Sequence, residues 1–273
     1  MKKIMALQLT SVLSLLILVN CSTLRLESNW KDRDIVLDGK GGDWLGAKYY
    51  FEDYALSVGL INDENFLYVS LMTENPMVRA QIMRQGLIVW LDPKGGKNKT
   101  FGVKYPLGRR ADKPEGEMMD PQKLMDETTR EEMMKKFMDT MSELEVLGKD
   151  EKVLAKMNIE EAEGIAVRLR DAAGTFVYEL KVPLSSNSGY PYAVGVEAGD
   201  AVGVGILSPK LEMQRSGGMR GMPRGGGGMP PGGMPVGGGM PGMGSMGRFM
   251  PRQLKIWAKV QLASALMPAL SFF

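Results

Sequence analysis

The chain has 273 residues, 44% hydrophobic, 24% charged and 7% aromatic, which suits a folded globular protein and excludes a wholly disordered one. Its 34 basic and 32 acidic residues nearly balance, so no global field points to nucleic acid. It contains no histidine, which excludes Ser-His-Asp and Cys-His pairs, the usual zinc sites and the commonest general base.

Lys2 and Lys3 precede an apolar stretch from Ile4 to Val19 that Gln8, Thr10 and Ser11 interrupt. A membrane-spanning helix needs about 20 apolar residues, so this stretch reads as an export signal over residues 1–20. It ends at Leu18-Val19-Asn20-Cys21, which resembles the lipobox of bacterial lipoproteins. There the cysteine is acylated and becomes the mature N-terminus; Asn20 stands where Gly, Ala or Ser is usual. Cys21 is the only cysteine of the chain, and in an exported protein it would otherwise be an unpaired thiol. The alternative is an ordinary signal peptide followed by an unmodified cysteine. Lipidation implies a protein of the cell envelope, anchored to the outer membrane, with residues 21–32 as a tether. Removing residues 1–20 leaves 32 basic against 32 acidic residues, so attachment would come from acyl chains and not from a polybasic surface.

Residues 33–212 read as the body of a β-sandwich. Leu56, Val58 and Leu60 alternate, Asn62-Asp63-Glu64-Asn65 turns, and Phe66 to Leu71 continues, which predicts a hairpin over 55–72. Gly86 to Leu91 is a continuous apolar run, as in a strand covered on both faces, and Thr100 to Tyr105 resumes extended. Between the two alternating arms Ile165–Arg170 and Phe176–Val182 lies the turn Asp171-Ala172-Ala173-Gly174. Short strands are predicted near 192–197 and 201–207. Strands of this length and spacing favour an antiparallel sandwich over any βαβ architecture.

Two segments interrupt it. Asp120-Pro121 and Gly148 bracket a predicted helical insertion near 120–148, where Met134, Phe137, Met138, Met141 and Leu144 recur at helical spacing. From Met213 to Met250 the chain holds 15 glycines, 9 methionines, 5 prolines and four arginines, with no acid. Such a segment buries too little surface to offset its ordering entropy and reads as disordered. Past it, residues 251–273 supply a strictly alternating closing strand, with Leu254, Ile256, Ala258, Val260 and Leu262 in one phase. The glycine-rich piece is therefore a loop within one domain.

Ile35-Val36-Leu37-Asp38-Gly39 with Asp43-Trp44, the pair around Phe66–Val69, Gly86–Pro93, Phe101–Pro106, Tyr178–Leu184 and Ile256–Val260 together resemble family 9 carbohydrate-binding modules and their DOMON-like relatives. The resemblance implies an antiparallel β-sandwich, sugar binding through aromatic platforms and, in some relatives, haem or calcium. Haem ligation by Met and His is not expected without histidine. Asp38 and Asp43 would be the calcium candidates, against a simple turn at Asp38-Gly39.

The candidate ligand-binding residues are Trp257, Tyr68 and Trp44. Trp257 shares its phase with Lys255, Lys259 and Gln261, where its indole would stack on a pyranose or shelter beneath the helical insertion. Trp44 and Trp90 also suit core packing, and Tyr68 suits either layer. The 213–250 loop reads as a solvated spacer, a gathering of soft thioether ligands for cuprous ion, or a contact for anionic lipid or polysaccharide. No spacing picks out a carboxylate pair or a Ser-Lys dyad, so no catalytic residue, cofactor or metal site is assigned. The expected function is a lipid-anchored, non-catalytic envelope protein that binds a glycan or a protein partner; the alternative is a Met-rich, cuprous-ion-handling lipoprotein.

Overall fold

A computed structural model describes residues 23–108, 141–172, 174–209 and 253–265. Cys21, residues 120–140 of the predicted helical insertion and the 213–250 loop lie outside the described residues.

The described chain forms two sheets. The strands are β1 (Arg25–Glu27), β2 (Asn29–Trp30), β3 (Lys48–Phe51), β4 (Leu56–Asn62), β5 (Phe66–Thr73), β6 (Ile88–Asp92), β7 (Phe101–Lys104), β8 (Glu143–Leu147), β9 (Val153–Asn158), β10 (Ala166–Ala172), β11 (Thr175–Pro183), β12 (Ala201–Leu207) and β13 (Lys255–Gln261). One sheet has seven strands in the order β1-β13-β12-β6-β7-β8-β9. The other has six, in the order β10-β11-β5-β4-β2 with β3 also on β4. Pairing is antiparallel except at β1–β13 and β2–β4, which are parallel. The fold is a mainly β sandwich, as the alternation predicts. Its core is formed by the inward phases of both sheets, among them Val58, Leu60, Val69, Leu71, Val89, Leu91, Tyr178, Leu180, Val204, Ile256 and Val260.

Within the segment expected as a tether, the described residues from Arg25 on enter the sheets. Arg25–Glu27 belongs to the seven-stranded sheet and Asn29–Trp30 to the six-stranded one, so the chain crosses between sheets at Ser28. The Asn62 amide anchors that crossing: its Oδ1 accepts from Ser28 Oγ and from Ala263 N (2.9 Å), and its Nδ2 donates to the carbonyls of Asp63 and Ala263 (3.0 Å each). All four bonds of a buried amide are made, which fixes the start and the end of the sandwich to one another.

Three further expectations are corrected. Residues 143–147, the end of the predicted helical insertion, are strand β8. Leu144 and Val146 enter the core while Glu145 turns out to Lys104 (3.1 Å), so the period is two and sheet pairing overrides the helical spacing. Residues 192–197 form no ladder, although Val194 N and Val196 N donate to Pro183 O and Leu184 O. Ile35–Gly39, which the family resemblance makes an opening strand, is part of a loop laid over the six-stranded sheet. One α-helix, α1 (Pro76–Gln85), was not foreseen; Asn75 caps it by accepting from Met77 N and Val78 N, with Pro76 at the first position.

Candidate functional site

The outer face of the six-stranded sheet is built around a row of small residues. Gly59, Ser70 and Glu179 are cross-strand partners on β4, β5 and β11. The missing side chain of Gly59 makes room for Trp44, because a Cβ there would lie 2.6 Å from the indole. Trp44 is buried, with Tyr68, Ile61 and Ala47 around it, and its Nε1 donates to Glu179 Oε1 at 2.9 Å. Gly39 N donates to Glu179 Oε2 at 2.8 Å. Glu179 is only 1% exposed and has no cationic partner among the described residues. Burial pushes its carboxyl up, the two N–H donors pull it partly back, and Asp38 and Asp43 add to the rise.

A cleft of about 510 Å³ opens beside this cover. Its floor is Met72 and Val177, with Gly41 at one side in the left-handed conformation (φ 69°). A Cβ on Gly41 would strike the Met72 methyl at 2.5 Å, so glycine is required by conformation and by space. The walls carry Lys48 and Tyr50 from β3, Glu74 and Asn75 before α1, and Lys40. Lys40 is paired with Asp38 at 2.6 Å, and the Asn75 oxygen caps α1. The Lys48 ammonium and the Glu74 carboxylate hold no such partner among the described residues, and partial burial lowers Lys48. Tyr50 is 67% exposed, with its ring on the outer face. The cleft thus joins an open aromatic ring to uncommitted donors and acceptors.

The residues singled out by sequence lie elsewhere. Trp44 and Tyr68 share one cluster, but both are buried: Trp44 roofs the sheet, and the Tyr68 hydroxyl donates to Asp63 at 3.1 Å beneath the Lys31 ammonium. Trp257 is on the outer face of the other sheet, half-buried across Gly205, and is not brought together with them. Its neighbour Trp90 is fully buried beside Gly102 under Lys99, with an unbonded Nε1. Asp38 and Asp43 are engaged in the loop, on Lys40 and on Val36 N (3.0 Å). The cleft residues Lys48, Tyr50 and Glu74 were not among those singled out. Their signal was the aromatic run Tyr49-Tyr50-Phe51 just ahead of the first hairpin, where alternate residues face outward.

Fold and cleft together define a β-sandwich with an open, ligand-sized recess on one outer face. No family model matches the sequence, and no curated protein sequence is similar to it. Among solved structures the chain is similar to a family 9 carbohydrate-binding module from Caldicellulosiruptor kristjanssonii in complex with glucose. The two are 11% identical with a TM-score of 0.36, over 68% of this chain and 78% of that one. The likeness is distant and assigns no residue of this chain a role.

Proposed function

We propose that this chain is a non-catalytic binding protein of the bacterial cell envelope, lipid-anchored through Cys21, that takes a glycan in the cleft between Lys48, Tyr50 and Glu74. The observation that carries the reading is the exposed Tyr50 ring standing beside an uncommitted ammonium and an uncommitted carboxylate. A sugar offers that combination an apolar ring face to stack and hydroxyls that both donate and accept. The Lys40 and Asn75 side chains extend the polar rim.

A glycan array probed with the soluble body tests this. Binding that Tyr50→Ala and Glu74→Ala abolish, and Trp257→Ala leaves intact, is the expected result. Binding lost only in Trp257→Ala would move the site to the other sheet. Cuprous-ion handling by the nine methionines of 213–250 is the competing reading. Cuprous-ion titration of the full chain, with no glycan bound on the array, would favour it.

A further inference from the structure

A second recess, about 380 Å³, lies at the seam where the edge strands of the two sheets meet. It is lined by Leu24 and Leu26 from the β1 side and by Tyr49, Tyr50, Phe51 and Tyr54 from the β3 side. The Tyr49 hydroxyl closes its inner wall by accepting from Glu27 N (3.1 Å) and donating to Glu27 O (2.9 Å). Leu24 is 41% exposed, yet its backbone is fixed, with Lys259 N donating to its carbonyl at 2.8 Å. Tyr50 turns its ring to the cleft, but Tyr49, Phe51 and Tyr54, partly buried against the core, stand beside the exposed Leu24 as an amphipathic surface of the kind that tyrosine makes at membrane–water boundaries.

We infer that this seam rests on the lipid bilayer. The inference depends on acylation of Cys21, as proposed above. Only three residue steps separate Cys21 from Leu24, a reach of at most about 11 Å. Because the chain is already in the sheet at Arg25, an acyl chain on Cys21 leaves no slack to carry the body away from the membrane. The surface nearest the anchor is the seam. Glu52 and Asp53 lie on its rim, so contact comes from ring and leucine burial in a zwitterionic interface and not from attraction to anionic lipid.

The test uses the full acylated chain on phosphatidylcholine vesicles. With Cys21 acylated, Leu24→Cys, Glu52→Cys and Val153→Cys each offer one free thiol for a nitroxide; Val153 is exposed on β9, at the opposite edge of the seven-stranded sheet. On vesicles, collisions with oxygen should rise severalfold and collisions with a water-soluble nickel chelate should fall at positions 24 and 52, with no change at 153. Equal access of nickel to all three while the protein floats with the vesicles would overturn the inference and leave the anchor standing. Dipolar broadening at 24 and 52 without lipid would overturn it in favour of a second copy on the seam. Failure to float, with no acyl mass on Cys21, would remove the anchor and this inference with it.

Discussion

The indole N–H of Trp44 donates to a carboxylate oxygen of Glu179 at 2.9 Å, across 135 residues of sequence. This bond pins the loop over residues 31–47 to the sheet and holds Gly41 and Lys40 where they form one side of the cleft. Glu179→Leu would leave the Trp44 and Gly39 N–H groups buried without an acceptor, at about 1–3 kcal/mol each. Chemical denaturation should show that loss, and ligand binding should fall with it.

The same carboxylate sets a pH dependence. Its folded-state pKa is raised above the ordinary 4.5, so the folded chain holds this proton more tightly than the unfolded chain. Its contribution to stability is therefore complete below pH 4.5 and is lost as the pH rises through the raised value. Glu179→Gln should flatten that part of the curve of Tm against pH. An unchanged slope in the variant would assign the dependence to other groups.

Gly59→Ala should destabilise by about 1–3 kcal/mol, since its Cβ has nowhere to go between Trp44 and Ser70. Gly42→Ala, with open space around it, should be nearly neutral. The difference in urea midpoint between the two variants checks the packing of the indole on the sheet.

Ile256→Lys and Lys259→Glu test the register of β13. Ile256 points into the core and Lys259 out to solvent, so the first should cost more than about 3 kcal/mol and the second within about 0.5 kcal/mol. Equal, small effects would mean that the segment after the glycine-rich loop does not belong to the sandwich.

Much of this fold was legible where one face is buried and the other wet. The β10–β11 hairpin and β13 carry alternation, the β4–β5 hairpin a looser form of it around a turn, and each appears where expected. The missed strands are short or lie towards the sheet edges. Val153–Asn158 has hardly a buried residue, and Arg25–Glu27 has only Leu26, so their pairing comes from the neighbouring strand and leaves no pattern in their own residues. Helix α1 announced its ends in Asn75-Pro76 and Gly86. Its face was obscured because a polar residue, Gln81, is buried on it and donates to Ser208 at 2.8 Å. Sequence left Trp44 between ligand binding and core packing and Tyr68 between the two layers; the structure buries both in one cluster on the outer face of the six-stranded sheet. The cleft itself joins Lys48, Glu74 and Thr175, residues that only the pairing of β3, β4, β5 and β11 brings near one another.

Ser208 ties the base of the glycine-rich segment. Its N–H donates to Leu254 O, its hydroxyl accepts from Leu254 N and Gln81 Nε2, and its carbonyl accepts from Gln253. With that base fixed, excising residues 215–249 and bridging the ends with a short Gly-Ser link should shift Tm by only a few degrees. Ser208→Val in the same background should lower Tm further, as it orphans buried donors.

Cys21→Ser should move the protein from the membrane to the soluble fraction after cell lysis. Retention that high salt cannot reverse would show that something other than an acyl chain holds it.

The parallel pairing of β1 with β13 has a consequence for how the chain is made. Leu26 gains its one sheet partner only when residues 259–261 have been synthesised, and the Ser28–Asn62 knot closes only when Ala263 arrives. Until then the first strand has no ladder partner and β12 presents an open edge. The sandwich cannot complete before residues 259–263 are made, however early its hairpins form, and such long-range closure is intrinsically slow. A polypeptide whose first strand waits for residues 259–261 stays open at both sheet edges, and so extensible, through the making of everything between them.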